Sequence, residues 1–116
     1  MRVLDIAEIA HEVNRAYCEA AGEEPPPHWG QAPQWQRDSA LSGVQSYLQN
    51  DGLSPRDMHE CWRSYREHEG WVYGDLEDFS CRRHPNMLRY DDLPQEQKVK
   101  DRLFYAVAKS LRRFLD

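Results

Sequence analysis

The segment EGWVYG (residues 69–74) places two large aromatic side chains between two glycines. Glycine readily adopts the backbone conformations that end helices and turn the chain. We therefore predict that Gly70 ends the preceding helix and that residues 71–73 form a short extended segment. Alternate side chains of an extended segment share one face, so Trp71 and Tyr73 are predicted to lie together. We expect Trp71 to be largely buried and Tyr73 to be the better candidate for facing a ligand.

Four helices are predicted around this segment from apolar residues at helical spacing and from capping residues. Their predicted starts are Asp5, Pro33, Ser54-Pro55 and Pro94. The first is predicted to end at Gly22, the second at Asn50-Asp51-Gly52 and the third at Gly70. Between the first two, Glu23–Pro27 (EEPPP) cannot be helical and is predicted to be a stiff, extended connector.

The third helix carries two neighbouring stripes of side chains at helical spacing. The first stripe is predicted to be its core face and consists of Met58, Cys61 and Tyr65. The second stripe combines a titratable ring, an indole and a fixed cation: His59, Trp62 and Arg66. It favours either a ligand-binding face or an edge of the core around Trp62.

The predicted fold class is mainly α: a compact helical domain of about four helices with possible short extended segments. A long irregular loop joins the third and fourth helices, and a structureless loop of about 24 residues is uncommon unless it has a function. The whole chain, residues 1–116, is predicted to be one domain. Residues 1–50 form an N-terminal helical pair within it, and residues 54–116 form the core motif.

Composition and charge exclude several classes of function. The net charge of −5 opposes binding to long nucleic acid, which needs a basic surface. Apolar runs are too short for a membrane-spanning helix, and the N-terminus lacks the apolar stretch of a signal peptide. Three cysteines without close pairs do not suggest a disulfide framework and fit a reducing compartment. We expect a cytoplasmic protein with no membrane partner.

Neither a metal site nor a catalytic site is predicted. Cys81 and His84 form one close pair of possible ligands, whereas a closed zinc site needs four. Asp75, Glu77 and Asp78 cluster after EGWVYG, but acidic groups on loops are mostly solvated, and the sequence contains no nucleophile or phosphate-loop motif. We therefore expect a binding protein that is not an enzyme and needs no cofactor.

Aromatic rings and cations near the third helix favour a nucleotide-like ligand. An indole stacks on a flat base, and an arginine binds phosphate or carboxylate. The predicted ligand-binding residues are Trp62, Arg66, Tyr73, Arg82, Arg83, His59 and Trp71. The same residues also suit a loop packed over a core, so a protein-interaction or structural module is the alternative.

Three stretches in fixed order resemble the ryanodine receptor repeat domain, or RyR domain. They are MHECW (residues 58–62), EGWVYG (residues 69–74) and HPNMLRYDDLPQEQKVKD (residues 84–101). The N-terminal half, with IAHEVNRAYCEAAGE and APQWQRDSALSGV, is similar to small stand-alone RyR-domain proteins of bacteria and their phages.

The resemblance implies a mostly helical fold with short extended segments. In the large receptors, repeats occur in tandem pairs that have been connected with adenine-nucleotide binding between the repeats. The resemblance therefore implies that this single copy forms a homodimer, in which two Trp62 rings enclose a base and Arg66 with Arg82 or Arg83 reaches the phosphates. It also implies a sensor or sequestering protein for an adenine nucleotide or an ADP-ribose-like signal.

Overall fold

The computed structural model describes residues 1–50, 52–78 and 80–116, and their regular elements are four α-helices, three short 3-10 helices and one two-stranded sheet. The helices are α1 (Val3–Ala20), α2 (Gln34–Gln49), α3 (Pro55–His68) and α4 (Gln95–Leu111). The strands are β1 (Val72–Tyr73) and β2 (Arg83–His84). The mainly α prediction and its short extended segments are confirmed. Asp51 in the predicted end of the second helix and Phe79 in the predicted loop lie outside the described residues.

The chain divides into two compact units. Unit 1 comprises Met1–Gly52 and Val99–Asp116, and unit 2 comprises Leu53–Lys98. The predicted assignment of all 116 residues to one domain stays a prediction. Every predicted ligand-binding residue lies in unit 2.

Unit 1 is held by an apolar core to which α1, α2 and the later part of α4 contribute. Ile6, Ala7 and Val44 are fully buried, and Phe104 packs against them. Gly43 makes this approach close, because a Cβ at that position would lie 3.1 Å from the Phe104 ring. The proline connector is held against α1 by a hydrogen bond to its backbone: the Arg15 side chain donates to the Pro26 carbonyl oxygen at 2.6 Å.

The start of α1 differs from the prediction. The helix begins at Val3 with Arg2 as its N-cap, so Asp5 is the third helical residue and not the cap. Its carboxylate accepts the backbone N–H of Arg2 at 2.7 Å, which satisfies a donor that the first turn would otherwise leave without a partner. The helix therefore begins three residues earlier than predicted, and the predicted cap lies in its first turn.

Both ends of α3 follow the sequence prediction. Ser54 accepts the backbone N–H of Asp57, and the Asp57 carboxylate accepts the backbone N–H of Ser54, which completes a capping box. At the other end Gly70 has φ of +92°, and its N–H donates to the Glu67 carbonyl at 2.9 Å. The N–H of Trp71 reaches the Arg66 carbonyl at 2.9 Å, so the helix ends in a Schellman motif.

The predicted core face of α3 is wrong for Cys61 and Tyr65, whereas Met58 is partly buried. Cys61 is exposed and 65% of Tyr65 is exposed, whereas His59 is buried and Trp62 is partly buried. The reason is that the segment covering the helix supplies polar partners: His59 Nε2 donates to the Leu88 carbonyl oxygen at 2.7 Å. A polar stripe can face inwards when its hydrogen bonds are satisfied there.

A parallel pairing of β1 with β2 brings Gly74 against the following strand. The backbone N–H of Gly74 donates to the His84 carbonyl at 3.3 Å. A Cβ at residue 74 would lie only 2.7 Å from the Cβ of Arg83, and this distance is too short for two carbon atoms. Glycine is therefore required here by close approach of the two strands and not by a left-handed φ.

Substituting Gly74→Ala is expected to lower the free energy of unfolding by about 1–3 kcal/mol, because the added methyl group forces the strands apart. Urea unfolding measures this change. The matched control is Gly30→Ala, where an added Cβ meets nothing within 4 Å. Equal stability of the Gly74→Ala variant and the unchanged protein would contradict the predicted close contact.

Candidate functional site

The imidazole of His84 lies between two indoles. Its ring centroid is 5.3 Å from that of Trp62 and 6.4 Å from that of Trp71, and it meets both rings nearly edge-on. Its Nδ1 accepts the backbone N–H of Asn86 at 3.0 Å. Nδ1 of His84 is therefore a hydrogen-bond acceptor. The His84 ring, which belongs to β2, contacts Trp62 of α3 and Trp71, the residue that follows the helix-ending Gly70.

Arg66 forms a cationic cap over the same indoles. Its guanidinium carbon lies 5.9 Å from the ring centroid of Trp62 and 5.2 Å from that of Trp71. The Schellman turn causes the second contact, because it folds Trp71 back beside the last turn of α3. The carboxylate of Glu69 is 3.6 Å away, and 36% of the Arg66 side chain is exposed. Arg66 thus combines a fixed position with access to solvent.

Buried polar groups close the inner side of this cluster. The ring of His59 lies 5.7 Å from Trp62 and 6.0 Å from Tyr90. The backbone N–H of Tyr90 donates to the Glu60 carboxylate at 2.9 Å, and this bond holds the pKa of Glu60 below its usual value. The Arg56 guanidinium carbon lies 4.9 Å from the Tyr90 ring. These contacts fix the loop segment against α3.

Arg82 has a structural role at the C-terminal end of α3. Its guanidinium donates to the carbonyl oxygen of Glu69, one of the groups that a helix end leaves without an intrahelical partner. Its φ is +55°, a left-handed conformation that is uncommon for a residue with a side chain. The backbone strain therefore accompanies a contact that stabilises the helix end beside Arg66.

The structure brings together part of the predicted binding set. Contacts join His59, Trp62, Arg66 and Trp71, and Arg82 binds the residue before Gly70. Tyr73 and Arg83 make other contacts: the Tyr73 hydroxyl donates to Asp75 at 2.8 Å, and the Arg83 side chain lies over Gly74. Trp71 is only 8% exposed, which confirms the expectation that it is largely buried, whereas Tyr73 is 49% exposed.

Two residues of the cluster were missing from the predicted set. From the sequence, His84 was named only as a possible metal ligand, and Tyr90 only as part of the HPNMLRYDDLPQEQKVKD stretch. Both lie in the HPNMLRYDD stretch, so the sequence resemblance contained the relevant signal. Their contacts with α3 depend on how the loop folds back, which local periodicity does not report.

The surface of α3 opposite this cluster holds a shallow, open depression of about 580 Å³. Its lining residues lie along one helix face: Glu60, Cys61, Ser64, Tyr65 and His68. Within residues 1–50, 52–78 and 80–116 no group of three or more histidine, cysteine or acidic side chains is arranged to hold a metal ion.

A family model for the RyR domain matches residues 49–115, which is more than half of the chain. The chain belongs to the RyR domain family. The match contains all of α3, both strands, α4 and every residue of the cluster around His84. A comparison with curated proteins gave no match. Across the described parts of this RyR domain, no helix is both long and apolar enough to cross a membrane.

The neutral form of His84 is favoured in the folded protein. Burial lowers its pKa below the ordinary 6.5; nearby Arg66 acts in the same direction, and Glu77 opposes it. The folded pKa is lower than the unfolded one, so the contribution of His84 to stability is present above pH 6.5. It is lost as pH falls from 6.5 through the folded pKa.

We expect an NMR titration to give a His84 pKa below 6.5 in the folded protein, and urea unfolding to show lower stability at about pH 5 than at about pH 7.5. The variant His84→Asn isolates the effect, because its loss of stability on acidification should be smaller than that of the unchanged protein. A folded-state pKa above 6.5 would refute this description of the ring's surroundings.

Proposed function

We propose that unit 2 binds a small nucleotide-like anion, with an adenine nucleotide or an ADP-ribose-like molecule as the ligand class, and does not catalyse a reaction. The observation that carries the proposal is Arg66, a partly exposed guanidinium fixed over Trp62 and Trp71. A cation held beside an aromatic plane matches a ligand that joins a flat base to a phosphate.

The charges around Arg66 support exchange of its present partner for a ligand. Its ion pair with Glu69 has a 3.6 Å separation, and both side chains are about two-fifths exposed, at 36% and 41%. Exposed ion pairs of this kind contribute little to stability, so a phosphate can replace the carboxylate at small cost. Arg82 lies exposed beside Gly70 and adds a second guanidinium near the same helix end.

We further propose that Trp62 supplies the stacking surface and that a homodimer completes the site. Trp62 is partly exposed, and His59, His84 and Arg66 lie against its ring. A two-fold axis would bring two equivalent patches together, so that a base lies between two Trp62 rings. In this proposal the chain is a cytoplasmic sensor or sequestering protein of the stand-alone bacterial or phage type.

The second candidate is a protein-interaction or structural module without a small-molecule ligand. Two predicted ligand-binding residues, His59 and Trp71, are buried within unit 2, and this favours a packing role for them. The depression on α3 is shallow and lies on the face of Tyr65, not on the face of Trp62. The two candidates differ in whether a nucleotide-like anion stabilises the folded protein.

A thermal-shift experiment with ADP-ribose, ATP and ADP tests the proposal. A ligand that binds only the native state at a hundred times its Kd adds about 2.7 kcal/mol to stability. We expect Arg66→Gln to weaken binding about ten- to a hundredfold, since a hydrogen bond to a charged group contributes about 1.5–3 kcal/mol.

The matched control for charge is Arg102→Gln, an exposed residue of α4 in unit 1. It should bind as the unchanged protein does. The proposal fails if none of the three nucleotides shifts the melting temperature at millimolar concentration while the protein remains folded. Equal loss of binding in both variants would indicate a general charge effect and would also count against a site at Arg66.

A further inference from the structure

Strand β1 has an open hydrogen-bonding edge. The backbone N–H of Val72 donates to the Arg82 carbonyl at 3.0 Å, and that of Gly74 donates to the His84 carbonyl at 3.3 Å. Because backbone groups alternate in direction along a strand, the N–H and C=O of the intervening Tyr73 point away from β2. In the described part of the chain we find no hydrogen-bond partner for these two backbone groups of Tyr73.

The other edge of the small sheet is occupied. Asp78 and Arg83 form an antiparallel bridge with two hydrogen bonds of 2.9 Å each. Strand β2 therefore has a backbone partner on both sides, and β1 has a partner on one side. An unpaired strand edge is a template for pairing with another chain.

Apolar side chains surround this open edge. Tyr73 is 49% exposed, Leu76 is 81% exposed, and Val72 is also exposed. Three large exposed apolar groups lie within five consecutive residues, with Val72 and Tyr73 on opposite faces of the strand, whereas single exposed apolar residues are ordinary. We call this surface the Tyr73 edge; it consists of Val72, Tyr73 and Leu76 with the flanking carboxylates Asp75 and Glu77.

The negative charge of the Tyr73 edge favours a basic segment over a second copy of this chain as the strand that pairs with it. A second copy pairing its own β1 antiparallel, Tyr73 against Tyr73, would bring Asp75 and Glu77 of one copy towards Glu69 of the other. Like charges opposite each other destabilise strand pairs. A segment with lysine or arginine beside apolar residues has the complementary charge and can cover the exposed side chains.

We propose that the Tyr73 edge binds an extended peptide segment of alternating apolar and basic residues by strand addition. The Tyr73 N–H and C=O supply the main-chain hydrogen bonds, Val72 and Leu76 supply apolar contact, and Glu77 attracts the cations. This site is separate from the proposed nucleotide site, since it uses neither Trp62 nor Arg66.

The probe is an acetylated and amidated hexapeptide of alternating lysine and valine, titrated into isotope-labelled full-length protein. At a peptide concentration about ten times the Kd, hydrogen exchange of the Tyr73 amide should slow about tenfold, because about one molecule in eleven stays free. Amides of Val72 and Gly74 already donate to β2 and should change less. A hexapeptide of alternating glutamate and valine is the control and should not bind.

Two protein variants separate hydrogen bonding from charge. Tyr73→Pro removes the outward N–H without touching the bonds to β2, and proline is tolerated at sheet edges. Glu77→Lys reverses one flanking charge and should weaken binding of the lysine peptide while the glutamate peptide gains affinity. If Tyr73→Pro does not fold, N-methylation of alternate peptide bonds in the probe tests the same hydrogen bonds.

The proposal is overturned if the Tyr73 amide exchanges at the same rate with saturating lysine peptide. It is also overturned if both hexapeptides bind equally, or if the N-methylated probe binds as well as the unmodified one. Protection of the Tyr73 amide that depends on protein concentration without any peptide would identify a second copy as the occupant and reject the basic segment.

Discussion

The packing of His84 between Trp62 and Trp71 is the contact on which unit 2 depends. It joins three parts of the chain that are distant in sequence: the middle of α3, the residue after its Schellman turn, and β2. The ring is 5.3 Å from one indole and 6.4 Å from the other, and its Nδ1 accepts a backbone N–H. The Schellman turn and the His84 packing together place Trp62 and Trp71 within reach of Arg66, whose guanidinium carbon lies 5.9 and 5.2 Å from the two ring centroids.

Much of this arrangement was predictable from local chemistry. Ser54 and Asp57 identify the start of α3, and Gly70 identifies its end, because capping depends on a few adjacent residues. The buried face of α3 could not be predicted in the same way. Hydrophobic periodicity favoured Cys61 and Tyr65 as the inward face, but it cannot show that His59 meets the Leu88 carbonyl 29 residues away.

In the candidate site, too, contacts between residues close in sequence were predictable, and contacts between residues distant in sequence were not. The pairing of indole and guanidinium at Trp62 and Arg66 follows from helical spacing, and it was identified from the sequence. The participation of His84 and Tyr90 depends on the loop folding back over α3. Tyr73 was expected to face a ligand and is exposed, but its hydroxyl contacts Asp75 and not the rings around His84. Strand register, which local periodicity does not report, places its backbone groups away from β2.

A nucleotide-like anion is proposed to bind at Trp62 and Arg66. Intermolecular nuclear Overhauser effects in a sample saturated with ADP-ribose test it most directly, with the indole of Trp62 assigned by comparison with Trp62→Phe. We predict contacts from the adenine protons to the Trp62 ring. Contacts to Tyr65 or His68 on the opposite face of α3 would contradict the claim, and so would a ligand that shows none to Trp62.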